Sequence, residues 1–291
     1  MVKQIDCEHF LGMATIADRY DAFILDVWGV LHDGVTLYPG VVDTLDRLTD
    51  ASKPFVMLTN APRRSKAVAE AMVEMGMPQN FCSHIVSSGE ATYNDLDERS
   101  NPFYKNIGNR FFHTGPQRDR GLFEDLDWEE TTTLEDCDLI VNTGPWRDGE
   151  TISDYEDILR IGAQKEIPMI CANPDLEVMR GGRKIICAGA LAVRFTELGG
   201  SVRWLGKPKI EIYDYCFKLL EGVCKERIAA IGDSFRTDLV GARNAGIDPI
   251  LVCGGIHSAE FSRFSSKSAT IEKLALEWKV MPVASMDTFT W

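Results

Sequence analysis

The chain has 291 residues, enough at about 150 per domain for two domains, or for one large domain carrying an insertion. Apolar residues make up 45% and charged residues 26%, an ordinary globular balance that excludes a disordered or collagen-like chain, and no apolar run approaches the ~18 residues needed to span a bilayer. With 31 basic against 44 acidic residues the net charge is −13, the wrong sign for a broad nucleic-acid surface but no bar to a local basic pocket for a small anion.

In chain order, the opening Met1-Val-Lys-Gln-Ile-Asp-Cys-Glu-His9 has no basic region followed by an apolar stretch. No signal peptide is read there, and the cytoplasm is the expected compartment. Phe23–Val27, Phe55–Thr59 and His84–Ser87 are short apolar runs that predict buried strands. Between them Val41, Val42, Leu45 and Leu48 recur at helical spacing, as do Val68, Met72 and Met75 before the stop at Gly76-Met-Pro78.

A middle segment, expected from Gly89 to Val202, repeats the alternation. Asn109–His113, Asp138–Asn142 and Pro168–Ala172 predict strands; Ile152–Leu159 and Ala188–Leu198 predict helices. Asn94 to Gly108 is polar and turn-rich and predicts a surface connection. Further on, Ile210, Tyr213, Phe217 and Leu220 predict a helix, Ile228–Gly232 and Pro249–Cys253 predict strands, and Ile271 to Trp278 a late helix packed on the core. Strand–helix alternation with continuous apolar strands predicts a parallel sheet covered on both faces. The predicted fold is therefore an α/β chain of two units, residues 1–88 with 203–291 as core and 89–202 as insertion. No internal repeat or low-complexity tract appears. Eight cysteines lie without a CxxC pair, most of them inside apolar runs, and predict buried reduced thiols rather than a zinc site or disulfide framework.

The chemistry concentrates where strands end. Ligands of a parallel sheet bind beyond the carboxyl ends of its strands, and four such places carry polar residues here. They are Asp26-Val-Trp-Gly-Val-Leu-His-Asp-Gly34, Leu58-Thr-Asn60, Gly206-Lys-Pro208 and Gly232-Asp-Ser-Phe-Arg-Thr-Asp238. A strand-end carboxylate can act as a nucleophile toward phosphorus. Asp233 and Asp238 can hold Mg²⁺ through oxygen, and a threonine hydroxyl with a lysine ammonium can neutralise a transferring phosphoryl group. Taken singly, each is equally a helix cap or a turn; the order of all four is what points to a site.

In that order the four segments resemble the haloacid dehalogenase-like hydrolases. Leu25-Asp-Val-Trp-Gly-Val-Leu-His-Asp-Gly34, Ala172-Asn-Pro-Asp175 and Gly189-Ala-Leu-Ala192 further resemble the NagD-like, class IIA branch. The resemblance implies a Rossmann-like parallel-sheet core with an inserted α/β cap, and a Mg²⁺-dependent phosphohydrolase of a small organic phosphate such as a sugar phosphate, nucleotide or phosphoglycolate. It assigns Asp26 as nucleophile and metal ligand, and the Trp28 carbonyl, Asp233 and Asp238 as further ligands. Thr59, Asn60 and Lys207 would cradle the phosphoryl oxygens, with Asn173 and Asp175 shaping the substrate opening and Ser234 behind the metal. It also allows a homodimer; membrane and nucleic-acid partners are not indicated.

The departure is Trp28. Phosphatases of this family usually carry there a second aspartate that protonates the leaving group, a function worth about 10²–10⁴-fold. Three readings follow. The chain is a phosphohydrolase using another acid, with His32 and Asp33 nearby though equally readable as a turn, or using a substrate with a good leaving group. Alternatively it is a weakly catalytic phosphate-binding or regulatory protein, or a dehalogenase, which would have no use for the Asp233–Asp238 pair. Two loop residues are also candidates: Arg147, near a substrate or on a solvated loop, and Arg236, on an anion or a nearby carboxylate.

Overall fold

The computed structural model describes residues 7–263 and 266–291; the opening residues 1–6, where no leader is read, lie outside them. In chain order the strands are β1 (Glu8–Phe10), β2 (Ala22–Asp26), β3 (Phe55–Thr59) and β4 (Ile85–Ser87), then β5 (Arg110–Thr114), β6 (Glu129–Thr131), β7 (Leu139–Asn142), β8 (Met169–Cys171), β9 (Glu177–Arg180), β10 (Arg183–Ile186) and β11 (Val202–Trp204), and last β12 (Ile228–Gly232), β13 (Asp248–Val252) and β14 (Ala284–Met286). The first four and last three form one parallel sheet of seven, ordered β1-β14-β13-β12-β2-β3-β4. Between β4 and β12 the chain builds a second parallel sheet of five, ordered β11-β8-β7-β5-β6, and the antiparallel hairpin β9–β10. This is the expected α/β core with an α/β insertion.

Alternation of side chains along each strand explains the layers. Phe23 and Leu25 of β2, with Met57 and Ile231, face a cluster filled by helices α1 (Val41–Asp50) and α2 (Ser65–Glu74). Ala22 and Ile24, with Val56 and Leu58, face the other side. The same chain-order numbering gives α3 (Ser88–Glu98), α4 (Glu156–Gln164) and α5 (Ala188–Glu197), followed by α6 (Ile210–Leu219) and α7 (Val240–Ala245), the two that cover that second face. The five-stranded sheet is treated alike: α4 and α5 bury Leu159, Leu191 and Phe195 on one face, and Leu96 of α3 packs on the other.

The polar segment from Asn94 is not a surface connection throughout, because α3 continues through Glu98. The Ser87 hydroxyl caps its start by accepting from the Glu90 amide at 3.0 Å. At the other end Leu96 is buried and Asp95 pairs with Arg203 of β11 through two hydrogen bonds, contacts that outweigh poor local propensity. The eight cysteines are all free, five of them buried. No helix among the described residues is long and apolar enough to cross a membrane.

Candidate active site

Because β12, β2 and β3 are adjacent and parallel, their carboxyl ends open side by side. Asp26 closes β2, Thr59 closes β3, and Asp233 follows β12. Each strand is an unbroken apolar run up to that point, so the first polar residue falls at the sheet edge. Past Asp26 the chain must turn sharply: Gly29 has φ +86°, and a Cβ there would lie 2.0 Å from Asp233 Oδ2. Only glycine fits that turn.

Asp26, Asp233 and Asp238 present carboxylate oxygens within 4.8 Å of one another, and all three are buried. Asp238 sits in a π-helical turn, Phe235–Leu239, whose Ser234 side chain accepts from the Thr237 amide. Lys207 arrives from the loop after β11. Its ammonium uses all three protons, on Asp26 Oδ1 at 2.5 Å, Asp238 Oδ1 at 2.7 Å and the Leu58 carbonyl at 3.2 Å. Asp238 Oδ2 accepts from the Ser234 amide and Asp233 Oδ2 from the Ile256 amide. Among the described residues no donor reaches Asp26 Oδ2, Asp233 Oδ1 or the Trp28 carbonyl oxygen.

One ammonium among three buried carboxylates leaves negative charge uncompensated. Burial first, and repulsion from Asp238 next, push the Asp26 carboxyl well above its ordinary value and that of Asp233 up to about 8. Burial opposes the charge on Lys207, but Asp238 and Asp26 outweigh it and hold its pKa well above the lysine range. Unfilled oxygen lone pairs, hard donors and excess negative charge together suit a divalent oxygen-seeking cation such as Mg²⁺. The residues present therefore fit the metal that the sequence implies.

The other expected site residues divide. The Thr59 hydroxyl accepts from the Ala61 amide at 3.2 Å and donates to no partner among the described residues. Asn60 is occupied internally. Its Oδ1 accepts from the Ser88 hydroxyl and the Lys207 amide, while its Nδ2 donates to Asp175 Oδ1 and the Lys207 carbonyl. Asn173 accepts from the Asp175 amide at 3.0 Å, which sets the turn that aims Asp175 at Asn60. Arg236 lines the acidic crevice, where its guanidinium donates to the Pro174 carbonyl at 2.7 Å and forms no ion pair with a carboxylate among the described residues.

His32 and Asp33 form a turn. The buried His32 ring accepts from the Gly34 amide at 2.9 Å, and burial pushes its pKa down to about 4, so it stays neutral. Asp33 Oδ1 accepts from the Val35 and Thr36 amides, and the Thr36 bond leads in holding its carboxyl below the usual range. Trp28 reaches across to the insertion, where its indole N–H donates to the Met179 carbonyl of β9 at 2.7 Å. Its ring stands edge-on to His32 at 5.3 Å.

The acidic cluster opens into a crevice of roughly 380 Å³, closed on the far side by Glu177, Val178 and Met179 of β9. Trp28, Thr59, Asp175 and Val178 also form one wall of a neighbouring cavity of roughly 320 Å³. That second space contains four arginines, Arg63, Arg118, Arg147 and Arg180. Of these Arg147 was the one candidate legible in the sequence; it is exposed on its loop and borders the cavity from there. A signal was available, because the chain does carry a short repeat: Thr114-Gly-Pro-Gln-Arg-Asp119 and Thr143-Gly-Pro-Trp-Arg-Asp148. Six residues are too few to register as a structural repeat of 20–50 residues or so. Their placement gives them meaning: the two copies follow the carboxyl ends of the paired strands β5 and β7.

Comparison with known proteins agrees with this geometry. Residues 23–129 match the haloacid dehalogenase-like hydrolase family, and residues 204–273 match a HAD-hydrolase-like family. A haloacid dehalogenase-like hydrolase from Brucella suis 1330 is 33% identical, with 96% of this chain and 99% of that one superposed at a TM-score of 0.83. A Staphylococcus aureus (strain USA300) protein named acid sugar phosphatase is 25% identical over 251 residues, 83% of this chain and 90% of that one. NagD from E. coli K-12, at 23% identity, shares the fold with a TM-score of 0.63 over 92% of this chain and 96% of its own. Sequence, fold and the convergence of the four strand-end segments thus agree: the chain belongs to the haloacid dehalogenase-like hydrolases, with the NagD-like architecture.

Proposed function

We propose that the chain is a Mg²⁺-dependent phosphatase of a small organic phosphate, working through an aspartyl-phosphate on Asp26. The observation that carries this reading is the buried Asp26–Asp233–Asp238 cluster with Lys207 bonded to Asp26 and Asp238. Asp26 Oδ2, the oxygen without a donor among the described residues, attacks phosphorus; a P–O bond forms, the ester P–O bond breaks, and the alkoxide departs and takes its proton from water. Exchanging its longest hydrogen bond, to the Leu58 carbonyl, for the substrate, the Lys207 ammonium joins the Thr59 hydroxyl in binding the phosphoryl oxygens, and Asn60 holds Lys207 in place through its backbone. Asp26, the Trp28 carbonyl and Asp233 would hold the metal, with Asp238 supporting them. Bound there, Mg²⁺ supplies positive charge to the transferring phosphoryl group. Water then cleaves the acyl-phosphate and returns Asp26 and inorganic phosphate. Asn173 and Asp175 shape the opening to the substrate space, and the eight free thiols accord with a reducing cytoplasm.

Trp28 favours a second, slower reading, in which the site binds phosphate esters but turns them over poorly. Its indole cannot protonate a leaving alkoxide. A dehalogenase is disfavoured because carbon–halogen displacement needs no acidic metal cluster. The test is phosphate release from a panel of phosphomonoesters, with and without Mg²⁺, beside Asp26→Asn. Metal-dependent release that disappears in the variant supports the phosphatase; release that survives chelation or the variant overturns it.

A further inference from the structure

The cavity beyond Trp28 brings four arginines together with four carboxylates, Glu74, Asp119, Asp148 and Asp175, and two of its guanidiniums are left without an ion pair among the described residues. In a chain of net charge −13, four guanidiniums line one space of roughly 320 Å³. Arg180 is spent on Asp148 at 3.1 Å. Arg118 comes no closer than 3.9 Å to Asp119. Arg63 and Arg147 form no ion pair, and their guanidiniums donate no hydrogen bond, among the described residues. Arg63 is also partly desolvated, and burial lowers its pKa. An unpaired guanidinium withdrawn from water is costly unless an anion arrives to meet it.

These arginines come from two directions. Arg63 follows Thr59 and Asn60 on the core loop, whereas Arg118 and Arg147 occupy equivalent places in the duplicated loops after β5 and β7. Both loops begin with a glycine at strongly positive φ, +159° at Gly115 and +142° at Gly144, and Gly115 has no room for a Cβ, which would sit 1.8 Å from Thr143 Oγ1. The same turn, built twice on neighbouring strands, presents the same residue to the same space. The wall shared with the acidic crevice, at Trp28, Thr59, Asp175 and Val178, is where an ester bound by phosphate at Asp26 would extend its remaining part.

We infer that the substrate carries a second anionic group, a carboxylate or a second phosphate, held by Arg63 and Arg147 with Arg118 beside them. This rests on the phosphatase reading and narrows it from small phosphate esters in general to dianionic ones. Guanidinium matches either oxyanion through paired N–H donors, so the two are separated by experiment.

The experiment measures binding and turnover apart. Calorimetry on Asp26→Asn, with Mg²⁺, compares glycerol 3-phosphate with 3-phosphoglycerate, and fructose 6-phosphate with fructose 1,6-bisphosphate. The member with the second anion is expected to bind about ten- to a hundredfold more tightly, the range for hydrogen bonds to a charged group. Adding Arg63→Gln and Arg147→Gln together should bring that ratio close to one while the melting temperature stays near that of the parent. Tighter binding in the first pair alone assigns a carboxylate, and in the second alone a phosphate. Equal affinity within both pairs, or a preference that survives the double substitution, overturns the inference. Phosphate release by the wild-type protein is read in parallel: its absence for every ester refutes the phosphatase, while the affinity ratios still decide the second anion.

Discussion

Trp28→Asp places an ionisable group where relatives usually carry their proton donor, and Trp28→Phe is its control. The Phe variant loses the hydrogen bond from the indole to the Met179 carbonyl, worth about 1 kcal/mol net. At 1.36 kcal/mol per decade that loosens the β9–β10 hairpin about fivefold, readable as faster amide exchange over residues 177–186. The Asp variant loses that bond and also the ring, which lies so close over Gly34 that a Cβ there would be 2.2 Å from Cζ2. Trp28 is half-buried, so about half of the 3–5 kcal/mol cost of deleting a buried aromatic applies, for a total near 3 kcal/mol. Against this stands the chemical gain, about 10²–10⁴-fold for a leaving group that needs a proton. An aryl phosphate, whose phenolate leaves unaided, gains little. Steady-state phosphate release should show the glycerol 3-phosphate to p-nitrophenyl phosphate ratio of kcat rising by about 10² or more in Trp28→Asp and staying constant in Trp28→Phe. An unchanged ratio in Trp28→Asp would refute the claim that leaving-group protonation limits the natural protein.

Other substitutions test the site's construction. Lys207→Met leaves Asp26 and Asp238 buried without their ammonium and should cost about 3–5 kcal/mol; a thermal midpoint close to the wild type would contradict the pairing. Asn60→Ala strips partners from the Ser88 hydroxyl, the Lys207 amide and Asp175, and chemical denaturation should register a loss of about 2–4 kcal/mol together with slower turnover. Asp119 is buried, and burial pushes its carboxyl from 3.8 up to about 6. The folded protein therefore binds this proton more tightly than the unfolded chain, and the stability it lends is complete below pH 3.8 and lost as pH rises through 6. Asp119→Asn should flatten that window and exceed the wild type above it, by at most about 3 kcal/mol; parallel stability curves for the two proteins would dismiss the shift.

Much of this was readable from the chain because it is local. An apolar run that ends in a polar residue marks a buried parallel strand and its carboxyl-end edge at once, which is why β2, β3 and β12 and their Asp26, Thr59 and Asp233 emerge without a structure. The short strands β1, β6 and β11, of three residues each, carry too few side chains for a pattern. The hairpin β9–β10 is half charged and at most half-buried, and the signal of its turn, Gly181-Gly182, both at positive φ as a tight two-residue hairpin requires, went unread in the sequence. What no local pattern reveals is partnership at a distance. The bond from Trp28 to Met179 spans 151 residues and that from Arg236 to Pro174 spans 62; neither side chain names its partner.

Asn60 sits where the chain leaves the core and where it comes back. The outgoing chain passes through Ser88, the first residue of α3, and the returning chain through Lys207 in the loop after β11, and both lean on the same amide oxygen. Gly206 between them has no space for a Cβ, which would fall 2.0 Å from Ser88 Oγ. An insertion whose two ends touch behaves like a door on a single pin: it can swing, or be exchanged for another, without disturbing the strand order of its host. Here the pin also grips Asp175 on the door and Lys207 on the frame. A single amide thus couples the position of the insertion to that of the loop carrying Lys207.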